Sequence, residues 1–419
     1  MLRNPNQILS VHSNLRAHFW QTLANYTQAA GGMLLGILLA RMLSPAVFGE
    51  FVLISSIVLF LMTPLSFSPA QLLVSDYGRT PQLFERVMGM TWLVTATKII
   101  ALCGFMVWAL YRNDLRVACV GLLVGLPTAL SDWTNVLKSD LEGKGLFKPN
   151  FIAQIMQIAT HASVSISLVW LGWGIYGLAL GTFVAFITTV VVYLASTDRR
   201  IITGRFDKEV FVNQFREGFW LWLSQVCEGL FSRVDKLFLG LKSTDANLGY
   251  YNRAINFAPI SQMALNSLMT NAAVVGLSKQ SSPRRRNRLF FKTCFIVFAG
   301  AVANWAVWWW FSDPLVVWIF GAQWAGAIEG FEAFSWLSLA YGIVYLPSTM
   351  LLAKQRYREL SLSRLGGLIL LAILLYLLLV NNMVNVVSVA YSFLAALLVM
   401  GSVIGYMAMQ QSPREIILT

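Results

Sequence analysis

Apolar residues in this chain come in runs of about twenty, and that run length decides what the chain can become. A helix of about twenty residues crosses the ~30 Å hydrocarbon core of a bilayer. Helices and closed barrels are the two structures that satisfy their own backbone in lipid. Barrel strands alternate apolar and polar residues, which these runs do not, so an all-α polytopic membrane protein is expected. Charge agrees: only 12% of the 419 residues are Asp, Glu, Lys or Arg, about half the share in soluble domains.

Twelve transmembrane helices are expected, six near 17–40, 47–67, 86–110, 115–135, 150–171 and 174–195, and six near 217–241, 247–276, 289–311, 327–353, 361–380 and 384–408. The longest gap, Ser196 to Arg216, is polar and basic. It predicts an N-terminal six-helix lobe over 1–198, a cytoplasmic linker over 199–216 and a C-terminal six-helix lobe over 217–419. No short apolar core with a cleavage site precedes the first span, so no removable signal peptide is expected.

Loop charge sets the orientation. With the N-terminus in the cytoplasm and sides alternating, cytoplasmic segments hold 23 of the 31 basic residues, among them Arg79, Arg86, Lys138, Arg199, Arg284, Lys354, Arg358, Arg364 and Arg414. The outer segments hold Arg41, Arg112, Arg116 and Lys242. A missed or invented helix would invert every later loop and destroy this asymmetry. Both termini are therefore expected in the cytoplasm. The net charge of +12 sits in these short gaps, with no soluble basic domain to hold a nucleic acid. The run Arg284-Arg285-Arg286-Asn287-Arg288 reads as positive-inside charge against anionic lipid. Between spans nine and ten, Asp313 to Trp324 is too short to cross, and Trp318 and Trp324 suit an outer interfacial helix.

The halves show a repeat. Ala46-Val-Phe48-Gly49-Glu50-Phe51 follows span one, and Ala246-Asn-Leu248-Gly249-Tyr250-Tyr251 follows span seven, 200 residues later. At that offset Asn25 matches Gln225 and Gln28 matches Glu228. Six helices per half make such a repeat parallel, as in transporters whose pathway runs between two halves. Pro64, Pro127, Pro259 and Pro347 fall inside spans, where each removes a backbone donor and favours a kink.

Ionisable groups in lipid are costly and normally face a cavity or a partner. The first half has Lys98 in span three, without an obvious local partner, Asp132 in span four and His161 in span five. Span seven places Glu228, Arg233, Asp235 and Lys236 within nine residues, and Arg253 enters near the start of span eight. At ~100° per residue, Glu228 and Asp235 share one face with Ser224 below them. One reading is a hydrated cationic cavity for an anionic head group, with Arg233, Lys236, Arg253 and Lys98 as ligands, since a guanidinium binds two phosphate oxygens at once. The other is an internal ion-pair network, Asp235 with Arg233 or Arg253, that locks spans seven and eight together. Glu228 and Asp235 are candidates for coupling to an ion gradient, or Glu228 makes a polar contact with Gln28 or Asn25.

No catalytic constellation appears. The three histidines, His12, His18 and His161, have no metal-ligand pattern, and there is no phosphate-cradling loop for ATP. Cys103, Cys119, Cys227 and Cys294 have no paired spacing. Neither metal nor cofactor nor enzymatic activity is expected.

Leu39-Ala-Arg41-Met-Leu-Ser44-Pro45-Ala-Val-Phe48-Gly49-Glu-Phe51, Arg233-Val-Asp235-Lys236-Leu-Phe-Leu-Gly240, Leu248-Gly249-Tyr250-Tyr251-Asn-Arg253-Ala254 and Ile319-Phe320-Gly321-Ala-Gln323-Trp324 carry a resemblance. Together with length, span count and repeat, they make the chain similar to the polysaccharide transporter branch of the multidrug/oligosaccharidyl-lipid/polysaccharide exporter superfamily, which includes Wzx-like flippases. The resemblance implies two pseudo-symmetric six-helix lobes around a central cavity in a bacterial inner membrane. It also implies transfer of an undecaprenyl-diphosphate-linked oligosaccharide to the periplasmic leaflet, for O-antigen, exopolysaccharide or capsule assembly with a polysaccharide polymerase and chain-length proteins. A multidrug-type antiporter would favour an acidic cavity for cationic drugs. A non-transport polysaccharide assembly protein is the remaining alternative.

Overall fold

The computed structural model describes residues 5–67, 83–197, 204, 206–259 and 283–410. Those residues form helices and no strand. The first six expected spans correspond to α1 (Pro5–Met42), α2 (Pro45–Met62), α3 (Leu83–Tyr111), α4 (Leu115–Gly143), α5 (Lys148–Trp170) and α6 (Ile175–Ala195). The next three correspond to α7 (Lys208–Lys242), α8 (Asp245–Phe257) and α9 (Pro283–Phe320). The tenth is divided into α10 (Ile328–Ser335) and α11 (Leu337–Ala353), followed by α12 (Tyr357–Val380) and α13 (Val386–Met409).

Among the described residues nine helical stretches are long and apolar enough to cross a membrane. They cover the expected spans other than the first, seventh and eighth. The helices α1 and α7 have 38 and 35 residues, more than a crossing requires at ~1.5 Å per residue, and α8 is described over thirteen residues. Several loop charges lie outside the described residues: Asp76, Arg79, Arg199, Arg200, Arg205, Lys279 and Arg414. The same holds for the side chains of His12, His18, Asn25, Arg284, Arg285, Arg286 and Cys294.

Short connections turn the helices back on themselves. After α3, Asn113 takes a positive φ of 57°, and Asp114 N–H donates to Ala109 C=O at 3.1 Å while Asn113 N–H donates to Leu110 C=O at 2.9 Å. This satisfies the last carbonyls of α3. Asp114 Oδ1 then accepts from Val117 N–H at 3.0 Å and caps α4. The same left-handed cap follows α12 at Asn382 (φ 54°), and Asn385 caps α13 by accepting from Ser388 N–H at 2.8 Å.

Two compact units result. One comprises Met1–Leu43 with Ile57–Glu217, the other Ser44–Ser56 with Gly218–Thr419. The first two-thirds of α2 thus belongs with the C-terminal helices. In the first unit α5 packs on α6 and α1, and α4 on α3 and α6. Phe84, Val87, Met88, Val136, Leu137, Leu141, Ala153 and Tyr193 form a buried cluster there. In the second unit α13 packs against α11, α12 and α10, and α9 against α10 and α11.

The short helix expected after span nine is present as the last part of α9, which is two helices joined across a kink at Phe311 (φ −123°, ψ 15°). The bend falls three residues before Pro314, whose ring displaces the preceding turn. Trp318 is exposed, but Trp324, in the 3-10 segment Ala322–Ala327, is buried. The bend at Phe311 belongs to a proline outside the four singled out: α4 runs unbroken across Pro127, and Pro64 lies in a 3-10 turn that ends α2.

Candidate functional site

The second unit holds five of the six candidate residues: Glu228, Arg233, Asp235, Lys236 and Arg253. Its helices α7 and α8 are joined at Ser243-Thr244, and Thr244 Oγ1 caps α8 by accepting from Asn247 N–H at 3.3 Å. Residues equally far from that turn stand side by side. Asp235 and Tyr251, each eight positions from Ser243, are such a pair: Tyr251 O–H donates to Asp235 Oδ2 at 2.6 Å, both buried. Tyr251 is fixed in turn by an edge-on contact with Phe334, 5.0 Å between ring centroids. Lys236 Nζ donates to Ser232 C=O at 2.6 Å and lies 4.0 Å from Asp235 Oδ2. The ion pair of Asp235 with Arg233 or Arg253 weighed from the sequence does not form among the described residues. Arg233 is half-buried, and its Nε has no hydrogen-bond partner there.

Arg253 is 4% exposed and surrounded by rings rather than carboxylates. Its guanidinium carbon lies 3.7 Å from the Phe48 ring centroid, 5.4 Å from that of Trp324 and 5.6 Å from that of Phe257. A guanidinium over aromatic faces is held by their quadrupoles. Nε and Nη2 have no hydrogen-bond partner among the described residues. Phe257 lies one turn on from Arg253 in α8, but Phe48 and Trp324 come from distant parts of the chain, so the local sequence announces only one ring of the cage.

Glu228 pairs with Arg364. The Arg364 Nη1 atom is 2.8 Å from Glu228 Oε2, and it donates to Ser224 Oγ at 2.8 Å. The carboxylate side chain is 56% exposed and the guanidinium side chain 11%. Arg364 is the eighth residue of α12 and faces inward. The sequence held a signal for this. Leu360, Gly367, Leu371 and Leu375 are buried residues of α12, and Arg364 falls on the same three- and four-residue stripe.

In the first unit, Lys98 has a partner after all. Its Nζ lies 2.5 Å from Asp132 Oδ2, and the lysine side chain is 1% exposed. Nearby on the same two helices, Trp92 and Trp133 contact at 6.4 Å between centroids. The half-buried His161 faces α6, where a Cβ on Gly181 would come 3.0 Å from its ring and 1.8 Å from Ser165 Oγ. It acts as a close helix–helix contact. Among the described residues no group of three or more His, Cys, Asp or Glu is placed to hold a metal ion.

A family model described as polysaccharide biosynthesis protein matches residues 38–329. An inward-facing multidrug resistance MATE family transporter of the MOP superfamily is similar in fold, with a TM-score of 0.69 and 13% identity over 91% of this chain and 93% of that one. The lipid II flippase MurJ in an inward closed conformation also has a TM-score of 0.69, at 15% identity over 94% of this chain and 88% of that one. An outward-facing MATE transporter follows at 0.62 and 12% identity, covering 94% of both chains. Identities this low speak for the fold. The comparison with curated proteins finds no match.

Proposed function

The chain belongs to the polysaccharide biosynthesis protein family, and on that premise we propose that it is a flippase for undecaprenyl-diphosphate-linked oligosaccharides. It would carry them from the cytoplasmic to the periplasmic leaflet of a bacterial inner membrane by alternating access. One observation carries the reading: inside the helices of the second unit, Arg233 and Arg253 have no carboxylate within ion-pair distance among the described residues, and each has a buried guanidinium nitrogen without a hydrogen-bond partner there. Cations inside apolar helices without an ion-pair partner suit an anionic ligand, and a diphosphate is an anion that guanidinium and ammonium groups hold well. The translocated units would serve O-antigen, exopolysaccharide or capsule assembly, passing to a polymerase and its chain-length proteins. No chemistry on the substrate is part of this role.

Arg233 and Lys236, only partly buried, are the proposed head-group ligands in the conformation described. Lys98 and Arg253, buried against Asp132 and the aromatic cage, reach a head group only if a conformational change uncovers them. Glu228 and Asp235 are the proposed coupling carboxylates, for a proton or sodium gradient. In a strain lacking the gene, lipid-linked intermediates should accumulate on the cytoplasmic leaflet, and surface polysaccharide should return with the wild-type gene. Arg233→Ala and Lys236→Ala should abolish that rescue while the protein stays in the membrane. Normal polysaccharide in both variants sinks the site assignment. The equal likeness to a multidrug transporter favours a second reading, small-molecule antiport. That reading requires the deletion strain to become sensitive to cationic drugs with its polysaccharide intact.

A further inference from the structure

Arg364 is a largely buried cation, 11% exposed, whose counter-ion Glu228 is 56% exposed. It is held from below: Nη1 donates to Ser224 Oγ at 2.8 Å, with the Ser224 carbonyl oxygen at 3.4 Å, and Ser224 is itself fully buried. Its hydrogen bonds among the described residues all fall on Nη1. The anion opposite, Glu228, is the open half of the pair at 56% exposure.

This geometry differs from a buried structural ion pair, in which both partners are sealed and bonded on every side. The guanidinium is held and oriented, while its carboxylate is more than half exposed on a flexible stem. We propose that Arg364 is a diphosphate-binding residue and that Glu228 is its tethered internal anion, displaced when an anionic head group arrives. The inference rests on the flippase reading and adds a ligand to it. A free guanidinium at this position would otherwise stand without counter-charge between substrates. Exchange keeps one negative charge on Arg364 in both states, and releases a carboxylate that can then take up a coupling cation.

The test is calorimetric titration of the purified full-length protein in detergent, with geranyl diphosphate as probe, inorganic pyrophosphate as the free-anion arm and geraniol as the uncharged control. Arg364→Gln should weaken geranyl diphosphate roughly 10- to 100-fold, the range for a hydrogen-bonded charge contact. Glu228→Gln should tighten it roughly two- to fivefold, because a competing half-exposed ion pair of modest strength is gone. Arg364→Lys retains the charge without the fork and should fall between wild type and Arg364→Gln, which keeps the test valid if the neutral variant misfolds. Pyrophosphate bound with the same dependence on Arg364 supports the site and shows that the lipid adds nothing to its recognition. Diphosphate binding unaffected by Arg364→Gln, or weakened equally by both neutral variants, overturns the exchange while leaving the flippase reading standing. Failure of the wild-type protein to bind geranyl diphosphate or pyrophosphate removes both.

Discussion

Lys98 and Asp132 show what one residue can mean in this bundle. A lysine at 1% exposure, 2.5 Å from a carboxylate, has exchanged water for a single partner. Removing one member of such a pair leaves the other charged and buried, which costs on the order of 3–5 kcal/mol. Replacing both by apolar side chains of similar volume is closer to neutral. Lys98→Met should therefore lower the melting temperature in detergent by several degrees, and Lys98→Met with Asp132→Leu should restore most of it. Transport by that double variant then separates the two roles weighed for Lys98. A stable double variant with normal surface polysaccharide limits Lys98 to holding α3 and α4 together, whereas a stable but inactive one keeps it as a ligand. The sequence showed both charges within adjacent spans, but 34 residues of separation conceal that they meet. Arg253 was misleading in the same way: its nearest contacts, Phe48 and Trp324, are aromatic and far along the chain, so a charge-pairing argument looked for a carboxylate that is not there.

At the scale of elements, the starts of α2 and α8 pack against each other reciprocally within the second unit. A Cβ on Gly49 would lie 1.7 Å from the Asp245 carbonyl oxygen, and one on Gly249 would lie 2.2 Å from the Pro45 carbonyl oxygen. Under the 200-residue offset Gly49 matches Gly249 and Pro45 matches Asp245, so each contact is the image of the other. Ser44 and Thr244 match as well, and each accepts from a backbone N–H three residues on, at 3.5 and 3.3 Å. The motif that marked the repeat is thus the motif that joins its two copies. Both glycines are there because backbone approaches backbone, not because the turn needs a positive φ. Gly49→Ala and Gly249→Ala should each destabilise by about 1–3 kcal/mol, the usual penalty of overpacking. Gly366→Ala, where an added Cβ meets nothing within 4 Å, should stabilise α12 by roughly 0.5–1 kcal/mol. Thermal melting of the three variants side by side checks this, and equal destabilisation by all three rejects the close-packing argument. The helices themselves were legible because apolar run length is a local property. Which helix starts touch which is a property of the fold, and the sequence carried it only as two matching glycines.

For the whole molecule, the loop charges make the strongest claim, because each span reverses the side of everything after it. Three of the expected crossings, at α1, α7 and α8, lie outside the nine apolar stretches found among the described residues, and the charge pattern is the argument for counting them. The helix α7 is less apolar because it carries Glu228, Arg233, Asp235 and Lys236, the residues on which the proposed function depends, so a purely apolar criterion fails at the span that matters most. Reporter fusions decide the count. Alkaline phosphatase should be active when fused after Gly172 and after Asn382, in the turns following α5 and α12, and inactive after Gly145 and after Gln355. Green fluorescent protein joined after Gln410 should fluoresce, placing the C-terminus in the cytoplasm. Sides correct at Gly145 and Gly172 but inverted at Gln355 and Asn382 would mean that one of the charged or short helices, α7 or α8, does not cross. The cations of the second unit would then lie outside the membrane, and an anion-carrying pathway built on them could not operate.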